Sequence, residues 1–178
     1  MSSSADVEHL RLALQRIASL VGGAPEQAAL RAEEILKAFP GQPNATTLLA
    51  AAQRRTGNQQ SALKLLDEVI EADPRFALAH QERGFTLIDL NQSAEAEAAL
   101  ETAVELEPEM HLGWKALGDL RAARGDQPGS EQAYQNHVSA VAGDPELVEA
   151  ANLLFNGKLA KAEQLCREYL KKIGRAHV

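Results

Sequence analysis

The chain has 178 residues, of which 45% are hydrophobic, and a formal net charge of −7. The acidic balance argues against general nucleic-acid binding, because such binding depends on neutralising phosphates with Lys and Arg. One cysteine excludes an intramolecular disulfide and a multi-thiolate zinc site, and the absence of a long apolar stretch or a signal-peptide pattern predicts a cytoplasmic protein without a membrane partner.

A repeat with a fixed period organises the chain. Ala and Leu make up about a third of the residues, a composition typical of helices. Three residue classes recur at intervals of 34 residues: Pro40, Pro74 and Pro108; Gly23, Gly57, Asn91 and Gly125; and Ala28, Ala62 and Ala96. Because a period of this length is typical of helical repeat arrays, we expect successive repeats to cover one another's apolar faces.

Each period predicts a helix, a tight turn and a second helix. A polar lead-in at 1–8 precedes repeats 9–42, 43–76, 77–110 and 111–144, a degenerate fifth repeat at 143–176, and the start of a further segment at 177–178. In the third repeat we predict a first helix from Ala77 to Leu90, then a second helix that has Ser93 as its N-cap and ends at Leu106.

The turns and the helix contacts each require a particular kind of residue. Gly57, Asn91 and Gly125 stand in the turns, where we expect a backbone with positive φ. Small residues recur at one position of the first helix and one of the second, where a bulky side chain would push the paired helices apart. These residues are Ala50, Gly84, Gly118 and Ala150 in first helices, and Ala28, Ala62, Ala96, Ser130 and Ala162 in second helices.

These features together resemble the tetratricopeptide repeat (TPR) family over residues 9–176. The most complete matches are Gly84, Leu87, Ala96, Leu100, Ala103 and Pro108 in the third repeat, and Trp114, Leu117, Gly118 and Gly125 in the fourth. The first repeat departs from the pattern because Arg16 stands where a small residue belongs. The resemblance implies an all-α fold, a right-handed α-solenoid of about five helix–turn–helix units.

The resemblance also implies a concave groove, lined by the first helix of each repeat, that binds a peptide or protein segment. In this register the groove residues are Asn44, Thr47, Ala51, Arg54, Arg55, Gln81, Glu82, Phe85, Ile88, Asp89, Lys115 and Asp119. Phe85 and Ile88 form an apolar patch among polar neighbours, which suits a segment with an apolar anchor and charges. Arg54 and Arg55 together suit an anion or a terminal carboxylate. The alternative is a solvated face without a dedicated ligand.

A narrower resemblance is to the N-terminal repeat region of bacterial TPR–sulfotransferases. The stretches that carry it are Trp114–Asp119, Ala133-Tyr134 with His137, Asp144–Leu147 and Leu159–Glu163. It implies a non-catalytic region that recruits a substrate for a larger enzyme. The chain carries no Gly-rich basic loop of the kind that cradles phosphate after a strand.

Residues that could carry chemistry are few. The five histidines show no metal-ligand spacing. His137 and Tyr134 occupy positions of a second helix that pack against neighbouring helices, so we expect a core role for both. Cys166 stands where other repeats have Leu, which predicts a small buried hydrophobe. We therefore expect no catalytic residues, no cofactor and no metal in this segment.

The last helix predicts a further contact. Between 158 and 173 its apolar residues cover more than one face of the helix. The apolar face that the preceding helix does not cover is therefore covered by a further part of a longer chain or buried against a partner. Residues 77–110 carry a net charge of −7 and residues 157–178 a net charge of +4, which makes head-to-tail self-assembly an alternative function. An RNA-binding helical repeat is disfavoured because its groove should be basic.

Overall fold

The computed structural model describes residues 4–176, and the side chains of residues 6–172. Over this range the chain forms ten helices and no strand. The helices are α1 (Ser4–Val21), α2 (Pro25–Ala38), α3 (Pro43–Arg55), α4 (Gln59–Ala72), α5 (Ala77–Asp89), α6 (Ser93–Leu106), α7 (His111–Ala123), α8 (Gln127–Ala142), α9 (Pro145–Phe155) and α10 (Leu159–Ala176). The all-α fold of helix–turn–helix repeats is thus confirmed. Helix α1 begins within the predicted lead-in, and the predicted further segment at 177–178 lies outside the described residues.

The helices form two compact units, which divide after Leu106. In the N-terminal unit the hairpins α1–α2, α3–α4 and α5–α6 follow one another, and the first helices also contact directly, α1 with α3 and α3 with α5. In the C-terminal unit α7 packs on α8, α8 on α9, and α9 on α10. No helix within residues 4–176 combines the length and the apolar character needed to cross a membrane.

The turns inside the last four hairpins, from α3–α4 to α9–α10, share one backbone geometry. Between α5 and α6, Asn91 has a φ of 59° and donates its N–H to the Ile88 carbonyl at 2.9 Å, while the Gln92 N–H donates to the Leu87 carbonyl at 2.9 Å. This pair of bonds caps the carbonyls of a helix end with a left-handed residue. The same pattern recurs at Gly57, Gly125 and Gly157. The positive φ predicted at Gly57, Asn91 and Gly125 is therefore confirmed.

The predicted helix ends need a small correction. Helix α5 ends at Asp89 rather than Leu90, and α6 already includes Ser93, so Ser93 is not its N-cap. The Ala96 N–H donates to the Gln92 carbonyl at 2.9 Å, which makes Gln92 the capping residue. The reason is that Gln92 also closes the turn through its N–H, so the new helix starts directly after it.

The small residues of the N-terminal unit lie at the closest helix contacts, as predicted. Ala62 and Ala96 are fully buried. A Cβ atom added to Gly84 would lie 2.5 Å from Leu100 Cγ and 3.3 Å from the Ala96 carbonyl oxygen. The hairpin α5–α6 therefore packs so tightly at this level that α5 has no room for a side chain.

The C-terminal unit uses the same arrangement with one polar variation. A Cβ on Gly118 would lie 2.7 Å from the Tyr134 ring. Ser130 is 2% exposed, and its hydroxyl donates to the Gly118 carbonyl at 3.0 Å. Because that bond satisfies the buried hydroxyl, Ser130 replaces the usual Ala of this position without an unpaired polar group.

Three side chains of the C-terminal unit, Trp114, His137 and Cys166, are half-buried rather than fully buried. Trp114 is half-buried, and its indole N–H donates to the Pro108 carbonyl at 2.9 Å. Cys166 is half-buried rather than buried, which corrects the prediction of a buried hydrophobe. Its helix, α10, buries only one stripe against α9 and leaves Leu159 and Leu170 exposed. His137 is half-buried, with Nδ1 2.7 Å from the His111 carbonyl oxygen.

Candidate functional site

Helices α3 and α5 carry ten of the predicted groove residues. Proline at the start of α3 is compatible with a first turn, and Gln42 caps that turn. Because α3 contacts α5 directly, equivalent positions of the two helices lie side by side. Thr47, Ala51 and Gln81 are buried, while the half-buried positions are Asn44, Arg54, Glu82, Phe85 and Ile88, and the exposed ones are Arg55 and Asp89.

Arg54 bridges the two helices. Its Nη1 donates to Asp89 Oδ2 at 3.1 Å and its Nη2 lies 3.4 Å from Glu82 Oε2. The guanidinium carbon stands 5.5 Å from the centre of the Phe85 ring, a cation–π distance. The structure thus brings four predicted groove residues into one cluster, which we call the Arg54 cluster: Arg54, Glu82, Phe85 and Asp89.

The members of the Arg54 cluster differ in how well water reaches them. The side chains of Arg54 and Glu82 are only 13% and 15% exposed, whereas that of Asp89 is 39% exposed. Burial raises the pKa of the Glu82 carboxyl, and the nearby Arg54 offsets this only in part. Asp89 is the last residue of α5, where the helix dipole disfavours a negative charge.

The pKa shift of Glu82 predicts a pH-dependent effect of Glu82→Gln. The folded chain keeps the Glu82 proton at pH values where the unfolded chain has released it, so the stability contributed by this group falls as pH rises from the ordinary value toward the raised one. Gln carries no such proton. We expect the melting temperature of Glu82→Gln, relative to that of the parent chain, to increase as the pH rises above about 4, the ordinary pKa of a Glu side chain. A difference that is constant or declines over this range would contradict the assignment.

Unpartnered polar atoms concentrate on the same two helices. Within residues 6–172, the buried side-chain atoms without a hydrogen-bond partner are Thr47 Oγ1, Gln53 Oε1, Arg54 Nε and Gln81 Oε1. All four belong to α3 or α5. Buried polar groups are normally paired with protein or ordered water, and these four atoms have no partner within the described part of the chain. Sequence reasoning omits Gln53, because its position in the repeat is not one of those that face a TPR groove.

The predicted anion site at Arg54 and Arg55 is already engaged within the chain. Arg54 pairs with the two carboxylates described above, and Arg55 Nη2 lies 3.4 Å from the Gly22 carbonyl oxygen in the α1–α2 turn. Arg55 is exposed. An incoming anion would therefore have to compete with existing contacts, most directly with Asp89.

The two remaining groove residues lie on α7 in the C-terminal unit. Lys115 Nζ donates to Asp119 Oδ2 at 2.7 Å, and the Tyr134 hydroxyl donates to Asp119 Oδ1 at 2.6 Å. Partial burial raises the pKa of Asp119, but these two hydrogen bonds, together with the charges of Lys115 and His137, hold the pKa below its usual value. Among the described residues no group of three or more His, Cys, Asp and Glu side chains is arranged to hold a metal ion.

A family profile and a known protein, both of the tetratricopeptide repeat type, match the sequence of this chain. The family profile described as tetratricopeptide repeat matches residues 20–75 and 83–145. The TPR repeat-containing protein PA0015 of Pseudomonas aeruginosa is 34% identical over 77 residues, which are 42% of this chain and 72% of that protein.

Solved structures of low sequence identity share the fold. The crystal structure of MamA superposes with a TM-score of 0.57 at 17% identity, covering 99% of this chain and 98% of that one. TTC0263, a thermophilic TPR protein of Thermus thermophilus, gives 0.64 at 20% identity, covering 83% and 80%. A structure of Naa15/Naa10 bound to HypK-THB gives 0.65 at 22% identity, covering 91% of this chain and 25% of that one.

Proposed function

Because the chain belongs to the tetratricopeptide repeat family, we propose that it is a protein-interaction scaffold that holds a peptide or protein segment against the inner faces of α3 and α5. The site comprises the Arg54 cluster and its neighbours Asn44, Thr47, Ala51, Arg55, Gln81 and Ile88. Lys115 and Asp119 of α7 are the corresponding groove residues of the C-terminal unit. Binding here requires no reaction and no cofactor.

The observation that carries this proposal is the set of unpartnered atoms on α3 and α5. At the predicted groove positions it includes a donor, Arg54 Nε, and an amide acceptor, Gln81 Oε1. The backbone of a bound segment offers one donor and one acceptor per residue, so it can satisfy atoms of both kinds. These atoms are covered in the free chain, so binding involves a local rearrangement of side chains above them.

Phe85 and Ile88 supply the apolar part of the site. Both are half-buried on α5, one turn apart, so an apolar side chain of the partner can contact both. Aromatic residues surrounded by polar neighbours are common energetic centres of interfaces. This arrangement favours a short segment with one apolar anchor.

Selection from a random dodecapeptide display library tests the proposal. We expect binders from the parent chain to lose at least about tenfold in affinity on Phe85→Ala, because a central aromatic contact is removed. Phe39→Ala is the matched control, since Phe39 is 46% exposed and lies after α2, and it should leave the affinity unchanged. Anisotropy titrations of the labelled peptides measure both. Binders that do not distinguish Phe85→Ala from the parent chain would place the ligand elsewhere.

Self-association through α10 is a second candidate function. Leu159 and Leu170 are each 66% exposed on this helix, and its basic charge complements the acidic third repeat. We expect sedimentation equilibrium to show a dimer or larger species at about 50 mM salt that weakens at about 500 mM, where the Debye length is several-fold shorter. Leu170→Gln should weaken it further. An association state that is unaffected by both changes would reject this role.

A further inference from the structure

A cleft of about 540 Å³ lies between α4 and α6, the second helices of two neighbouring repeats. Both helices pack on α5, and Ile70, Ala98 and Ala99 form the apolar part of the cleft wall. An exposed carboxylate stands on either side, Glu71 on α4 and Glu95 on α6. The cleft therefore suits an apolar side chain that has positive charges beside it.

The cleft lies on the side of α5 that faces away from the proposed groove. His80 and Arg83 of α5 line the cleft, and both are about 140–160° around the helix from Phe85. Arg83 donates through Nε to Asp67 Oδ1 at 2.8 Å, so its charge is compensated and the two glutamates determine the sign of the charge around the cleft. The cleft and the groove are thus separate surfaces that can be occupied at the same time.

Helix α10 presents a surface that matches the cleft. Leu159 and Leu170 are each 66% exposed and about three turns apart, so they lie on one side of the helix. Arg167 and Lys171 are exposed and lie within one turn of Leu170. The ion pair of Arg167 with Glu163 is itself exposed, so it is weak and can be exchanged for a pair with another carboxylate. Leu170 is therefore an apolar side chain with two bases beside it.

We propose that α10 of one copy docks in the α4–α6 cleft of a second copy. Leu170 packs on Ile70 and Ala98, and the bases beside it meet the two glutamates of the cleft. This inference rests on the self-association proposed above and names the surface that receives α10. Because the donating helix and the receiving cleft are different surfaces, a pair of copies still has one free helix and one free cleft. Such a head-to-tail contact extends into a series or closes into a ring rather than ending at a twofold dimer.

Two complementary variants of the full chain test this contact. Leu170→Gln removes the apolar contact of the donating helix, and Glu71→Lys/Glu95→Lys reverses the charge of the receiving cleft. We expect each variant alone to show a dissociation constant of self-association at least about tenfold higher than the parent chain in sedimentation equilibrium at about 50 mM salt. An equimolar mixture of the two variants should form a one-to-one complex and nothing larger, because each pair contains one intact helix and one intact cleft.

Glu33→Lys/Glu68→Lys is the matched control for the cleft variant. It changes the net charge equally, at exposed acids of α2 and α4 that do not line the cleft, and should leave the dissociation constant unchanged.

The remaining outcomes separate this inference from the proposed self-association. A control that weakens association as much as the cleft variant, a cleft variant that associates like the parent chain, or a mixture that stays monomeric would overturn the inference and leave self-association standing. A Leu170→Gln variant that associates like the parent chain would overturn both. A monomeric parent chain would also overturn both and would leave the cleft to a basic segment of another protein. Thermal melts establish that each variant is folded, and Glu71→Gln/Glu95→Gln carries the test if the Lys variant unfolds.

Discussion

Leu100→Ala is expected to lower the free energy of unfolding by about 2–5 kcal/mol, the range for a large-to-small change at a fully buried site. Leu100 is 0% exposed on α6 and lies directly over Gly84 of α5. No side chain of α5 at that level can fill the space that Ala leaves, because Gly84 has none. Urea unfolding followed by circular dichroism measures the effect.

Leu170→Ala provides the comparison for this loss. Leu170 is also on a second helix of a repeat but is 66% exposed, so its truncation should change stability by about 0.5 kcal/mol or less. Equal effects of the two substitutions would show that Leu100 is not at a tightly packed contact.

Gly84→Ala is expected to destabilise the chain by about 1–3 kcal/mol even though Ala is the better helix former. The new Cβ would stand 2.5 Å from Leu100 Cγ. Leu100 cannot move freely because its own surroundings are closed, and the Ala96 carbonyl oxygen limits any shift of the backbone. Differential scanning calorimetry is a suitable measurement.

Two further variants make this prediction specific. In Gly23→Ala the added Cβ has no neighbour within 4 Å, so that change should be neutral or slightly stabilising. The double variant Gly84→Ala/Leu100→Ala should be less destabilised than the sum of its single changes, because the Cβ at 84 no longer meets a Leu and partly fills its space. Strict additivity would mean that the two residues do not share one packing site.

The sequence predicts the repeat well because each repeat position has a simple steric requirement. Only small residues permit the contact at Gly84 and Gly118, and only Gly or Asn readily adopts the left-handed turn at Asn91, so period and residue type suffice to place them. The N-cap at Ser93 is off by one residue because closing the turn and starting the helix share Gln92. Such an overlap depends on backbone hydrogen bonds that a side-chain pattern does not reveal.

The candidate site is predicted in outline but not in its chemistry. The register brings Arg54 and Glu82 to the same face, yet it does not reveal that Arg54 pairs with residues of the following repeat or that Phe85 lies beneath its guanidinium. Burial of a carboxyl such as Glu82 depends on how neighbouring helices approach, which is a tertiary property. The unpartnered Gln53 side chain is missed because its position in the repeat is not a groove position.

The contact of Arg54 with Glu82 and Asp89 bears on cooperativity. Repeat proteins unfold as chains of modules whose nearest-neighbour coupling determines whether they melt together or one by one. Between the second and third repeats that coupling includes charge as well as apolar contact. A change in ionic strength, or occupation of Arg54 by another molecule, would then alter the coupling between these two repeats. The two repeats would unfold more or less cooperatively, although neither repeat itself had changed.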